Sequence, residues 1–148
     1  MAVADEPGEA QARRWRIYSS THSFISGRVG SALQEAVELS LVEYNVLDFL
    51  DRRDGVVLRM QDVSTAISMS QSAATRLVAR LEERGAVLRS LSADDRRGVA
   101  TQLTDEGRKI LAAARPIYHA ALDEAIASAE LVHPGMKEIV DLLRLPRP

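Results

Sequence analysis

The chain contains no cysteine. That excludes a thiolate sensor, a disulfide framework and a cysteine-based zinc site. Aromatic residues are scarce, at 4%, so the core has to come from Leu, Val, Ile and Ala, which favours helices over a β-sandwich. No apolar run approaches the roughly 18 residues of a membrane span. The opening stretch, MAVADEPGEAQARRW, lacks the apolar segment of a signal peptide. These absences predict a cytoplasmic protein with no membrane partner. The three histidines, His22, His119 and His133, stand in no metal-ligand spacing. No Ser-His-Asp order, glycine-rich phosphate loop or catalytic carboxylate pair stands out either. The expectation is a protein that is not an enzyme and needs no metal or cofactor.

What is present is helical periodicity with one β interruption. The length, 148 residues, suits a single domain with a modest core. Residues 1–8 end at Pro7-Gly8 and read as a frayed start. From about 10 to 37, Trp15, Tyr18, His22, Ile25, Val29, Leu33 and Ala36 follow one another at steps of three or four, the stripe of a long helix. Gly27 and Gly30 weaken that helix or permit close approach by another. Ser40 and Glu43 form a capping box for a helix expected to bury Val42, Val46, Leu47 and Leu50. Val57-Leu58 reads as a very short strand. Met60–Ile67 reads as a short helix with Met60, Val63 and Ile67 inward, and Met69 is expected under the tight turn that follows. Late in the chain, Thr104 is placed to cap a long helix striped by Leu111, Ala114, Tyr118, Ala121 and Ala125, with a kink expected at Pro116. Pro134 opens a last helix with Met136, Ile139, Val140 and Leu143 on one face.

Residues 70–107 carry the chemistry. The helix expected over 71–84 has a polar front (Ser70, Gln71, Ser72, Thr75, Arg76), an apolar back (Ala74, Leu77, Val78, Leu81) and Gly85 as its stop. Two strands follow, Val87–Leu91 and Val99–Leu103, around the tip Asp94-Asp95-Arg96-Arg97-Gly98. The whole chain is acidic, with a formal net charge of −2, but residues 70–97 contain six arginines against four acids. A locally basic face on an acidic body can still bind phosphates. A helix followed by an arginine-tipped hairpin is how a winged helix-turn-helix protein holds double-stranded DNA.

In detail, the stretch from 40 to 107 resembles the MarR family of transcription regulators. The residues that carry the likeness are Ser70, Thr75-Arg76-Leu77-Val78, Arg80-Leu81-Glu82, Gly85, Val87, Arg89, Asp95-Arg96-Arg97, Leu103-Thr104 and Gly107. The order of helices on either side is similar too, so the resemblance covers nearly the whole chain. Two positions depart from the common pattern. Val63-Ser64 stands where Leu-Ala is usual, and Ala86 stands where a larger apolar residue is usual, which is expected to loosen the start of the strand.

The resemblance implies a mainly α fold with a small β-hairpin wing: one MarR-like domain over 1–148, a winged-helix DNA-binding lobe over 40–104, and a helical dimerisation region over 10–37 and 105–145. It implies a homodimer on a pseudo-palindromic operator, acting as a repressor released by a small ligand. The DNA-binding candidates are Ser70, Gln71, Ser72, Thr75, Arg76, Arg80, Asp95, Arg96 and Arg97. Gln71 suits adenine and Arg76 suits guanine; Ser70, Ser72 and Thr75 suit phosphates. Arg80 has either a phosphate or an ion pair with Glu83 or Glu43 as its partner. Arg97 suits the minor groove, oriented by Asp95. Trp15, Tyr18 and His22 are either dimer packing or the lining for an aromatic or anionic small ligand. Tyr44 and Tyr118 stand before the same two choices. The alternative function is a winged-helix protein-interaction module without DNA binding, which the acidic overall charge favours and the retained arginines oppose.

Overall fold

A computed structural model describes residues 7–53, 56, 58–91, 99–132 and 134–144. In chain order the elements are α1 (Pro7–Val37), α2 (Leu41–Asp51), β1 (Leu58–Arg59), α3 (Met60–Ala66), α4 (Gln71–Glu83), β2 (Val87–Leu91), β3 (Val99–Leu103), α5 (Asp105–Val132), a 3-10 turn (Pro134–Met136) and α6 (Lys137–Leu143). They form two compact units. One runs Leu33–Ile117; the other joins the chain before Leu33 to the chain after Ile117. Among the described residues, no helix is long and apolar enough to cross a membrane.

The Leu33–Ile117 unit is the winged helix. Its three strands pair antiparallel in the order β1-β3-β2, with Leu58 opposite Thr101 and Arg89 opposite the other side of the same residue. The central strand β3 buries Ala100 and Thr101, whose hydroxyl reaches the Met60 sulfur at 3.5 Å. The capping box of α2 is complete. Ser40 Oγ accepts the Glu43 N–H, and Glu43 Oε2 accepts the Ser40 N–H at 2.9 Å. The predicted back face of α4 is buried throughout: Ala74, Leu77, Val78 and Leu81 are each 3% exposed or less.

The junction after α4 is closed by a Schellman-type turn. Gly85 sits at φ 71°, a conformation that side-chain-bearing residues adopt only at a cost. The Ala86 N–H donates to the Leu81 carbonyl at 2.9 Å and the Gly85 N–H to the Glu82 carbonyl at 2.8 Å. Thr104 caps α5 as its sequence position predicts, accepting the Gly107 N–H at 3.0 Å, and its hydroxyl also donates to the Gly85 carbonyl at 2.6 Å. The Thr104 N–H donates to the Ala86 carbonyl at 3.1 Å. Ala86 is fully buried beneath this crossing, so its small side chain fits the crossing and does not loosen the strand that begins at Val87.

The other unit takes its core from Thr21, Ile25 and Val29 of α1, Ala125, Ile126 and Ala129 of α5, and Met136 and Val140 further on. Arg144 donates to Glu130 Oε1 at 2.8 Å and ties the end of α6 to α5.

Several sequence expectations are corrected. Pro7 and Gly8 already belong to α1, in keeping with proline's fitness for a first helical position. Along α1 the buried line is Thr21, Ile25, Val29 and Leu33; Trp15, Tyr18, His22 and Ala36 are exposed. Thr21 was not expected inside; its hydroxyl is satisfied by the Ile17 carbonyl at 2.8 Å. Gly27 is exposed, and a Cβ there would meet nothing within 4 Å. On α2, Val42 is exposed, and Glu43 and Tyr44 are buried instead. Met69 is 37% exposed, because the turn from α3 to α4 is closed by backbone, with the Met69 N–H bonded to the Ser64 carbonyl and Ser68 at φ 54°. Pro116 lies inside α5, where its place in the sequence stripe puts it.

Gly107 has a steric duty. A Cβ at this position would overlap the Ala86 carbonyl oxygen and press to 2.7 Å from Leu103 Cδ1. Gly107→Ala should therefore destabilise the protein by about 1–3 kcal/mol, the usual cost of overpacking. Urea unfolding at neutral pH measures this; an unchanged midpoint would show that the α5 start can move aside freely.

Candidate nucleic-acid interface

The polar front of α4 stands at the surface. Ser70, the N-cap, accepts the Ala73 N–H at 3.3 Å, and its Oγ lies 3.4 Å from Ser72 Oγ. Ser70, Gln71, Ser72 and Arg76 are exposed, and Thr75 is half-buried. The first N–H groups of a helix lack intrahelical partners and attract anions, so this end offers amide and hydroxyl donors together. Thr75 differs from the serines. Its hydroxyl hydrogen is engaged by the Gln71 carbonyl at 2.8 Å, and a phosphate contact requires it to turn away from its own helix.

The arginines of this segment divide by function. Arg76 makes no ion pair or side-chain hydrogen bond among the described residues and is exposed. Arg80, one turn on, lies 3.8 Å from Glu43 Oε1 and remains 61% exposed on its side chain. Of the two acids proposed for it, Glu43 is the neighbour. Arg84, the C-cap residue, donates to the Glu38 carbonyl at 2.8 Å. Arg89 is held by Glu82: its Nε and terminal nitrogen donate to Oε2 at 2.8 and 2.6 Å, and its backbone N–H donates to Oε1 at 3.2 Å. This fork joins the last turn of α4 to β2. The arginine count in the sequence thus overstates the face available to DNA. The Arg89–Glu82 pairing was missed because it joins residues seven apart across a helix stop, outside the three-or-four spacing of helix pairs.

Asp95, Arg96 and Arg97 lie outside the described residues. The strands that lead toward them are described, and β2 and β3 pair from Val87 opposite Leu103 to Leu91 opposite Val99.

The candidate ligand residues form an exposed ladder on α1. The rings of Trp15 and Tyr18 stack with centroids 5.7 Å apart, and those of Tyr18 and His22 at 6.3 Å. Trp15 is 65% exposed and Tyr18 51%. These two help line a groove open to solvent, with Gly8, Gln11, Ala12 and Arg14; His22 lies outside it, beside Ser26. Tyr44 is a buried core residue, and Tyr118 is half-buried and packs edge-on against exposed His119. Among the described residues no cluster of His, Asp or Glu could hold a metal ion.

This architecture, a helix-turn-helix followed by a hairpin, defines a winged-helix protein. The sequence model of the MarR family matches residues 37–98. A stretch of 104 residues, 70% of the chain, is 34% identical to YfiV of Bacillus subtilis, an uncharacterized HTH-type transcriptional regulator, of which it spans 62%. Among solved structures, Sco3205 of Streptomyces coelicolor, a MarR family transcriptional regulator in complex with DNA, is 26% identical with a TM-score of 0.74, over 95% of this chain and 89% of that one. CouR of Rhodococcus jostii bound to p-coumaroyl-CoA is 26% identical with a TM-score of 0.66, over 100% of this chain and 98% of that one. In sequence over residues 37–98 and in fold over nearly its whole length, the chain is similar to MarR family transcription regulators.

The Arg89–Glu82 fork has a pH signature. The Arg89 hydrogen bonds hold the Glu82 carboxyl below its ordinary value of 4.5. A carboxylate lowered in the folded state stabilises fully above the unfolded value, and the contribution disappears as pH falls through the lowered one. Glu82→Gln should therefore be less stable than the wild type at pH 7, and the difference should shrink as pH is taken well below 4.5. Urea midpoints of both proteins across that range decide it; a gap that stays constant down to pH 2 would remove Glu82 ionisation from the account.

Proposed function

We propose that the protein is a homodimeric, sequence-specific DNA-binding transcription regulator, a repressor, that places the start of α4 in a major groove. The observation that carries this is the asymmetry of α4. Its back and its C-terminal end are held by the core, β2 and α5, while Gln71 and Arg76 project from the other end with exposed serines beside them. Gln and Arg are the side chains that pair with adenine and guanine edges, and the serines and helix amides suit the flanking phosphates. Asp95, Arg96 and Arg97 complete the surface at the wing, Arg97 along the minor groove. The DNA complex of Sco3205 supports this use of the fold.

The exposed Trp15–Tyr18 ladder on α1 is the surface offered to a second copy of the chain. Large aromatics left in water on a helix otherwise well packed further along are the mark of an interface. Two copies place two reading helices on a pseudo-palindrome, about 34 Å apart, one turn of the duplex. A small aromatic or anionic ligand releases the operator by favouring one arrangement of the dimer over the other; the p-coumaroyl-CoA held by CouR supports a ligand of that chemistry.

Selection of genomic DNA fragments with the purified protein tests the function directly and should return a motif with two-fold symmetry. On that motif Arg76→Ala should cost about 1–3 kcal/mol and relax preference at one base pair per half-site. Arg97→Ala should weaken binding and flatten the dependence of affinity on salt. Recovery of random fragments alone would sink the assignment. Replacing Trp15 and Tyr18 together by serine should move the protein from dimer toward monomer in sedimentation equilibrium at micromolar concentration, and a dimer unmoved by the double change would place the interface elsewhere.

A further inference from the structure

The last turn of α1, the start of α2 and the whole of α4 lie in one unit, and two arginines on α4 reach for the same short junction. Arg84 donates to the carbonyl of Glu38 at 2.8 Å. Arg80, four residues earlier, lies 3.8 Å from the carboxylate of Glu43. Glu38 is where the chain leaves α1, in a left-handed conformation at φ 53°. Glu43 is the capping-box acid of α2, mostly buried and already accepting from Ser40. The junction is itself rigid, with Leu39 fully buried and the Glu38 N–H bonded to the Gln34 carbonyl.

We propose that Arg84 is a positioning residue for DNA recognition: its bond to the Glu38 carbonyl sets the tilt of α4, and through it the placement of Gln71 and Arg76. This rests on the DNA-binding function proposed above. The leverage is geometric. The helix has 13 residues and is about 20 Å long, so a tilt of about 5° at its C-terminal end moves its reading end by about 1.7 Å. Hydrogen bonds to base edges tolerate a few tenths of an ångström. The Glu82–Arg89 fork and the Gly85 turn hold the same end of α4 against β2 and α5. Arg84 adds a fixed point in another direction, toward α1.

A guanidinium at the surface of a DNA-binding protein has a competing role as a direct phosphate contact, and the two roles separate experimentally. Loss of a phosphate contact weakens binding to every sequence alike and lowers the slope of log affinity against log salt by about 0.9 per contact. Loss of a positioning bond weakens binding only where base edges are read. The test compares the wild type, Arg84→Met and Arg84→Lys on the selected operator and on a random duplex of the same length, over a salt series, with the active fraction fixed by stoichiometric titration. Arg84→Met should lose about tenfold on the operator, stay within about twofold on the random duplex and keep the salt slope. Arg84→Lys, which can still donate to a carbonyl, should recover most of the loss. An equal loss on both duplexes, from a missing phosphate contact or from unfolding, overturns the proposal, as does an unchanged operator affinity. A wild type that shows no operator preference overturns the DNA-binding function itself, which is a separate result.

Discussion

The structure depends on how α4 is brought to a stop. Within six residues, Glu82 to Val87, the chain must end a helix, reverse and enter the sheet. Gly85 provides the left-handed step. The carbonyls of Gly85 and Ala86 then receive the hydroxyl and the N–H of Thr104, the residue that caps α5 from the far side of the hairpin. The approach is so close that position 107 admits only hydrogen as a side chain. The reading helix, the wing and the long C-terminal helix therefore share one crossing point. The strands β2 and β3 and the helix α4 cannot be displaced independently at that point without breaking these bonds, which is the fixed spacing that the proposed DNA-binding function requires.

Charge is distributed around the same crossing. Arg89 and Glu82 both fall in the arginine-rich segment 70–97, yet they are engaged with each other where α4 passes into β2. Arg115 is held by Asp48 and Asp51 at 3.1 and 2.6 Å, with Arg108 3.4 Å from Asp51, so the start of α5 is fastened to the end of α2. The Arg115 guanidinium is pushed above its ordinary value by its hydrogen bonds to Asp51 and Asp48. Arginine suits such duty because one planar group can satisfy two carboxylates. In this chain arginine serves the scaffold as much as the surface.

That division explains what could be read from the sequence. Helices and hairpin were legible wherever a period or a cap marks them: Ser40 with Glu43, the Ala74–Leu81 face, Gly85 and Thr104 all behave as their local chemistry requires. The polar front of α4 was legible for the same reason, since Ser70, Gln71, Ser72 and Arg76 carry no apolar side chain that would have to be buried. Position along a stripe was not. Periodicity treats Trp15, Tyr18 and His22 as continuous with Ile25 and Val29, whereas burial depends on what lies opposite, and the covered line switches to Thr21. Val42 and Glu43 exchange places for a related reason: the capping box turns the Glu43 carboxylate back onto the chain, and Arg80 approaches it from α4. Pairings that join distant segments, such as Arg84 with Glu38, leave no mark in a one-dimensional pattern.

The engaged arginines also bear on stoichiometry. Counter-ion release makes affinity grow with the number of phosphates neutralised. From α4 to β2, Arg89 is paired, Arg84 is bonded to a carbonyl and Arg80 stands beside an acid, which leaves Arg76 as the arginine there without a side-chain partner among the described residues. The described part of α4 therefore presents few unengaged charges on a body of net negative charge. In the proposed dimer, the second subunit doubles the contacts while adding little to the entropy lost on binding, because its lobe arrives already tethered. On the proposed function, that poverty of charge becomes selectivity: a single lobe on an arbitrary sequence has little to hold it, and firm binding requires two lobes that both find bases they can read.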